Sequence, residues 1–130
     1  MATNSETVNA LTESIIGAAV KVHRALGPGM LESTYEACLT HELAQSGHTV
    51  ERQKDVPVQY GLVKLDCGYR LDMLVDDAVM VEVKALEIVL PIHKAQLLSY
   101  VKLSGKKAGL LINFNVTMLV RGVHRVVDGL

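Results

Sequence analysis

The apolar residues of this chain change their period near Gly47, and that change limits the folds open to it. Leu11, Ile15, Ala18, Val22 and Leu26 recur at helical spacing until Gly27-Pro28-Gly29 breaks the pattern. Leu31, Tyr35, Cys38, Leu39 and Leu43 form a second helical stripe, ended by Ser46-Gly47. Beyond this point apolar and polar residues alternate through "HTVERQKDVPVQY", "LVKLDCGYRLDMLV" and "AVMVEVKA", the pattern of an antiparallel meander. Pro91 suits the first turn of a third helix running to about Ser104, with Leu97, Leu98 and Val101 on its apolar side. "AGLLINF" then reads as a short buried strand, and residues 117–127 as a final strand or hairpin. The expected order, with the middle strands at their fuller count of four, is α-α-β-β-β-β-α-β-β. The fold class is α/β (α+β), a mixed central sheet flanked by helices.

A chain of 130 residues suits one domain, here residues 12–130, behind a flexible N-terminus over residues 1–11. With 49% apolar and 21% charged residues it is a globular chain, not a disordered one. No run reaches the roughly 18–20 apolar residues of a membrane helix, and the polar opening lacks a signal pattern, so a cytoplasmic protein is expected, with no membrane partner. Cys38 and Cys67 lack neighbours at metal-finger spacing and are expected as free buried thiols. A net charge of −1 argues against coating nucleic acid by bulk electrostatics. Local basic patches remain, at Lys102, Lys106 and Lys107 and at Arg121, His124 and Arg125, and an ordinary solvated surface is an equal reading of each.

Against this background the stretch "YRLDMLVDDAVMVEVKA", residues 69–85, is an oddity, because two apolar strands carry Asp72, Glu82 and Lys84. Alternation places Glu82 and Lys84 on one face, opposite Val79, Val81 and Val83, and turns Asp72 away from Leu71, Met73 and Val75. Register decides whether the charges meet. A two-residue turn at Asp76-Asp77 sends Asp72 and Glu82 to different faces; a three-residue loop, Asp76-Asp77-Ala78, pairs Val75 with Val79 and sets Asp72 across from Glu82. The longer loop is expected, because no Asn-Gly or Asp-Gly demands the shorter one and Asp tolerates a left-handed backbone. Facing carboxylates repel, and a hard cation held by oxygen ligands relieves them. A surface Lys-Glu pair beside an incidental Asp is the bland alternative for this pattern taken alone.

Asp72 followed by Glu82-Val83-Lys84 resembles the metal-binding core of the PD-(D/E)XK nuclease superfamily. "GMLESTY" carries Gly29, Glu32 and Tyr35 at the spacing of the GxxExxY protein family, and "QLLSY" resembles the Q-x-x-x-Y element of RecB-like members, with Gln96 and Tyr100. Leu71 stands where the superfamily's name has proline. The resemblance implies a restriction-endonuclease-like core and a nuclease acting on DNA, or else RNA, with Mg²⁺ as cofactor and Mn²⁺ able to substitute. In it Asp72, Glu82, the Val83 carbonyl and Glu32 hold the ion, Lys84 activates water, and Gln96 and Tyr100 orient Lys84, the water or a phosphate. Tyr35, His93, Lys102, Arg121 and Arg125 are candidate substrate contacts. For Glu32 a favourable charge at a helix N-terminus is the competing reading. For Tyr100 it is a core ring with Gln96 as its polar neighbour, and for His23 it is a partly buried histidine rather than a group near the metal. A binding or regulatory module with a nuclease-like fold is the alternative function, and a homodimer is one way for so short a chain to enlarge its contact area.

Overall fold

The computed structural model describes residues 5–130, apart from the side chain of Cys67. The expectations for residues 1–4 and for Cys67 as a free thiol lie outside the described residues; Cys38 is free and half-buried against the core. Helix α1 spans Ser5–Leu26, so the expected flexible N-terminus is corrected from Ser5 onward. Val8 extends the buried stripe one turn ahead of Leu11, where the polar residues around it hid the period. Burying each of these two side chains contributes about 1.5–3 kcal/mol.

Helix α2 follows over Glu32–Gln45, then strands β1 (Val50–Tyr60), β2 (Val63–Val75) and β3 (Val79–Lys84), helix α3 (Pro91–Leu103) and strand β4 (Ala108–Asn113). A single 3-10 turn, Leu119–Gly122, leads into β5 (Val123–Val127). Three strands, not four, therefore precede α3. The alternation expected from residue 117 becomes a strand only at Val123, and Met118 and Val120 stand exposed.

The five strands lie in the order β1-β2-β3-β4-β5. The first three pair antiparallel, β3 and β4 pair parallel across the α3 crossover, and β5 returns antiparallel. Helices α1 and α2 cover one face through Ile15, Val22, Tyr35 and Leu39 against Met73, Val81, Val83, Leu110 and Ile112. Leu97 and Val101 of α3 cover the other, against Leu71, Leu74, Met80 and Leu111. This is an α+β fold with the restriction-endonuclease-like arrangement.

Leu71 packs on the same face as Leu74, although strict alternation puts it with Met73. The ladder between β1 and β2 runs Arg52↔Met73 and then Lys54↔Leu71, and Gln53, which falls between these pairs, has a left-handed backbone with φ 50°. The pairs on either side of Gln53 keep one register, and the register shift of this ladder lies farther along, between Val56 and Val58.

Asp76 and Asp77 also have left-handed backbones, φ 51° and 53°, and Ala78 N–H donates to the Val75 carbonyl. The turn is anchored from outside. Asp76 Oδ1 accepts from Thr49 N–H at 2.8 Å, and Oδ2 lies 2.7 Å from His48 Nδ1, whose Nε2 lies 2.8 Å from Ser14 Oγ. Ser14, His48 and Asp76 thus stand in series. Because Ser14 lies in mid-helix, where backbone N–H groups are spent on the helix itself, the series ties α1 to the turn and offers no oxyanion donors.

Candidate active site

The loop between β2 and β3 is the three-residue form, pairing Val75 with Val79. The ladder continues through Leu74↔Met80 to Met73↔Val81 and then stops, so Asp72 and Glu82 come next, across from one another, where the strands part. Their side chains close the gap reciprocally. Asp72 N–H donates to Glu82 Oε1 at 3.2 Å, and Val83 N–H donates to Asp72 Oδ2 at 2.8 Å. The expectation about register therefore holds, and beyond Met73↔Val81 the carboxylates of Asp72 and Glu82 accept the backbone N–H groups of Val83 and Asp72.

Burial, and then the charge of Asp72, push the Glu82 carboxyl up to about 7. Burial also raises Asp72, against the lowering effect of the Val83 N–H. Lys84 Nζ is 4.0 Å from Glu82 Oε2, so it offsets the crowding of acids only in part. Within a strand the N–H and C=O of one residue point to the same side. The Val83 carbonyl accordingly points toward β2, as its N–H does toward Asp72.

Two desolvated carboxylates and a backbone carbonyl at a strand end are an oxygen-only donor set, which suits a hard divalent ion such as Mg²⁺ that keeps several waters. Among the described residues no group of three His, Cys, Asp or Glu gathers as a metal cage. Glu32 is turned elsewhere: it begins α2, and its Oε2 accepts from Ala85 N–H at 3.1 Å, just past Lys84. There it fixes the exit of β3.

Tyr100 and Gln96 are brought to this region from α3. Tyr100 lies stacked within 10° of parallel on Tyr69, whose hydroxyl donates to the Tyr100 carbonyl at 3.2 Å. Burial and the nearby Glu82 raise the Tyr100 phenol, while a hydrogen bond with Gln96 lowers it. Tyr69 is raised as well, by burial, Tyr100 and Glu82. The charge of Glu82 thus acts on two phenols, one of which the sequence pattern did not single out.

Of the candidate substrate contacts, Tyr35 is fully buried, stacked on Phe114, and its hydroxyl donates to the Gly27 carbonyl and accepts from Met30 N–H. It closes the loop between α1 and α2. His93 Nδ1 accepts from Leu90 N–H at 2.9 Å and caps α3. Lys102 is exposed two residues beyond Tyr100, about 200° around the helix and so turned away from it. Arg125 bonds Asn9 of α1, on the sheet face opposite Glu82. Arg121 is exposed in the 3-10 turn. His23 is buried, with Nε2 2.8 Å from the Val116 carbonyl, in a packing role.

Three groups escaped the sequence reading. Glu36 is buried in α2, and its charge is felt by both Asp72 and Glu82. Gln53 donates to Glu36 Oε1 at 2.8 Å and to Asp72 Oδ1 at 3.4 Å. Asn113, opposite Lys84 in the parallel ladder, holds both the N–H and the carbonyl of Leu86 at 2.9 Å and so fixes the segment leaving β3.

A family model described as the PD-(D/E)XK nuclease superfamily matches residues 9–126. The chain belongs to the PD-(D/E)XK nuclease superfamily. No curated protein and no solved structure matches it.

Proposed function

We propose that the protein is a metal-dependent nuclease hydrolysing phosphodiester bonds, with DNA the first substrate to test, RNA the second, and Mg²⁺ or Mn²⁺ as the ion. The reading rests above all on one observation: Asp72 and Glu82 meet across the parting strands with Lys84 4.0 Å from Glu82. Asp72, Glu82 and the Val83 carbonyl hold the ion, which when bound polarises a phosphoryl oxygen and acidifies water. Lys84 orients the attacking water and meets charge developing on the phosphate. Gln96 and Tyr100 border the same space and direct the phosphate toward Lys84. Glu32 acts through the backbone at Ala85, fixing the end of the strand that carries Lys84.

The test is cleavage of labelled single-stranded, duplex and branched DNA, and of RNA, with Mg²⁺ or Mn²⁺. Asp72→Ala and Lys84→Ala are expected to lower the rate by 100-fold or more, a loss of about 2.7 kcal/mol of transition-state stabilisation. Variants that cut as fast as wild type would overturn the assignment. Wild type that cuts nothing, yet binds nucleic acid, would favour the binding or regulatory module.

A further inference from the structure

Gln53 stands out on two independent counts. It is one of three non-glycine residues with a left-handed backbone among those described, and the other two form the β2–β3 turn. It is also the residue whose side chain lies between the buried Glu36 and Asp72. Left-handed backbone is disfavoured for a residue with a Cβ. Where such a conformation persists in mid-strand, surrounding contacts over-determine it.

The contacts here are unequal. The amide of Gln53 bonds Glu36 at 2.8 Å and Asp72 at the longer 3.4 Å. Arg52, the preceding residue, grips the other Glu36 oxygen through Nε at 3.1 Å and Nη2 at 2.9 Å. Both oxygens of Glu36 are thus engaged from β1. Glu36 and Asp72 could not face each other unaided, since both are acids in a partly desolvated place. An amide nitrogen carries two hydrogens and no acceptor, so one Gln side chain can serve two carboxylates. A carboxylate in its place would add a third acid, and Asn, one methylene shorter, would fall short of both.

We propose that Gln53 is a positioning residue for Asp72: the irregularity in β1 exists to deliver its amide between Glu36 and Asp72, holding the Asp72 carboxylate against the Val83 N–H. Arg52, Glu36, Gln53 and Asp72 form one chain of contacts from α2 through β1 to β2, and rigidity of the packed helix passes along it to the acidic pair. The inference deepens the metal-site reading, but its first observable needs no metal.

That observable is hydrogen exchange of the Val83 amide, whose acceptor is Asp72 Oδ2. Gln53→Gly, which tolerates the left-handed backbone, and Gln53→Asn, which favours it among larger residues, both remove the reach of the amide. In metal-free protein each is expected to speed Val83 exchange tenfold or more, leaving the Val81 and Ile112 amides in the core of the sheet unchanged. Mn²⁺ titration of the same variants is expected to show affinity weakened about 10- to 100-fold. Val83 exchange unchanged in both variants overturns the proposal. Exchange that rises uniformly across the sheet also overturns it, because Gln53 would then serve stability alone. Faster Val83 exchange in a protein whose wild type binds no Mn²⁺ upholds the positioning of Asp72 and refutes the metal site.

Discussion

Glu82 carries a cost that the fold does not remove by itself. Its carboxyl is raised from 4.5 to about 7, chiefly by burial and then by Asp72. Between these values the folded protein holds a proton that the unfolded chain has lost, so stability falls as pH rises from about 4.5 through about 7. The full penalty, on the order of 1–3 kcal/mol, is present above that window. Glu82→Gln abolishes the titration. Metal-free Glu82→Gln is therefore expected to melt several degrees higher than wild type at pH 8 and at nearly the same temperature at pH 4. Adding Mg²⁺ at pH 8 should raise the melting temperature of wild type and not that of the variant. Thermal melts at the two pH values check the sign, and a variant less stable than wild type at pH 8 would mean that Lys84, 4.0 Å away, compensates Glu82 more fully than its distance indicates.

At the level of elements, the β2–β3 hairpin carries the site because its loop sets the register, and Asp76 sets the loop. Asp76 combines a left-handed backbone with bonds to Thr49 and His48. Asp76→Ala would lose these bonds and, with them, the local side-chain bonding that lets Asp hold a left-handed backbone, at a cost of about 2 kcal/mol or more. Asp76→Asn, which tolerates the backbone and keeps one acceptor, should cost less than half of that in urea melts; equal losses would assign the whole effect to the His48 contact. This loop was legible in the sequence, since two aspartates without a following glycine favour three residues over two and the strict alternation of β3 leaves one register that joins Asp72 to Glu82. Helices α2 and α3 were legible for the same reason, a clean period bounded by glycine or proline. Other features were hidden for identifiable reasons. Val8 sits among polar residues, so the first turns of α1 show no period. Leu71 packs on the face of Leu74 and Gln53, on the neighbouring strand, takes a left-handed backbone, and nothing in the composition of β1 or β2 announces either. Glu36 follows Tyr35 directly and reads as a solvent-facing helix residue until Arg52 and Gln53 are seen to reach it across 16 and 17 positions of chain. Cross-element pairing of that kind has no local sequence signal.

For the molecule as a whole, the distribution of cations decides how nucleic acid can be held. The net charge is −1, and many basic side chains are committed to the protein's own acids: Lys21 to Glu42, Arg52 to Glu36, Lys54 to Glu51, Arg70 to Asp55 and Lys106 to Asp77. Arg125 is bound on the face of α1, and Lys102 is turned away from Tyr100. On the face shared with Glu82 the charge to note is Lys94, which with burial lowers the neighbouring His124. His124 is aligned with Glu82 through Leu111. A surface so arranged grips few phosphates, and on the proposed reading binding would lean on the proposed metal site and on Lys84. Each phosphate contact adds about 0.9 to the steepness with which affinity falls with salt on a double-logarithmic plot, so a slope of magnitude about 1–3 is expected for one chain, against 6 or more for a strongly basic domain. Fluorescence anisotropy of labelled DNA with Asp72→Asn, which keeps the shape of the side chain but removes a proposed metal ligand, measures the phosphate contacts of the protein itself, free of cleavage. A second copy gripping the same duplex would roughly double the slope, so the measurement made across protein concentrations also tests the homodimer: a slope that stays constant while binding saturates at one chain per site assigns recognition to the monomer, and a slope that roughly doubles only as chains associate assigns it to the pair.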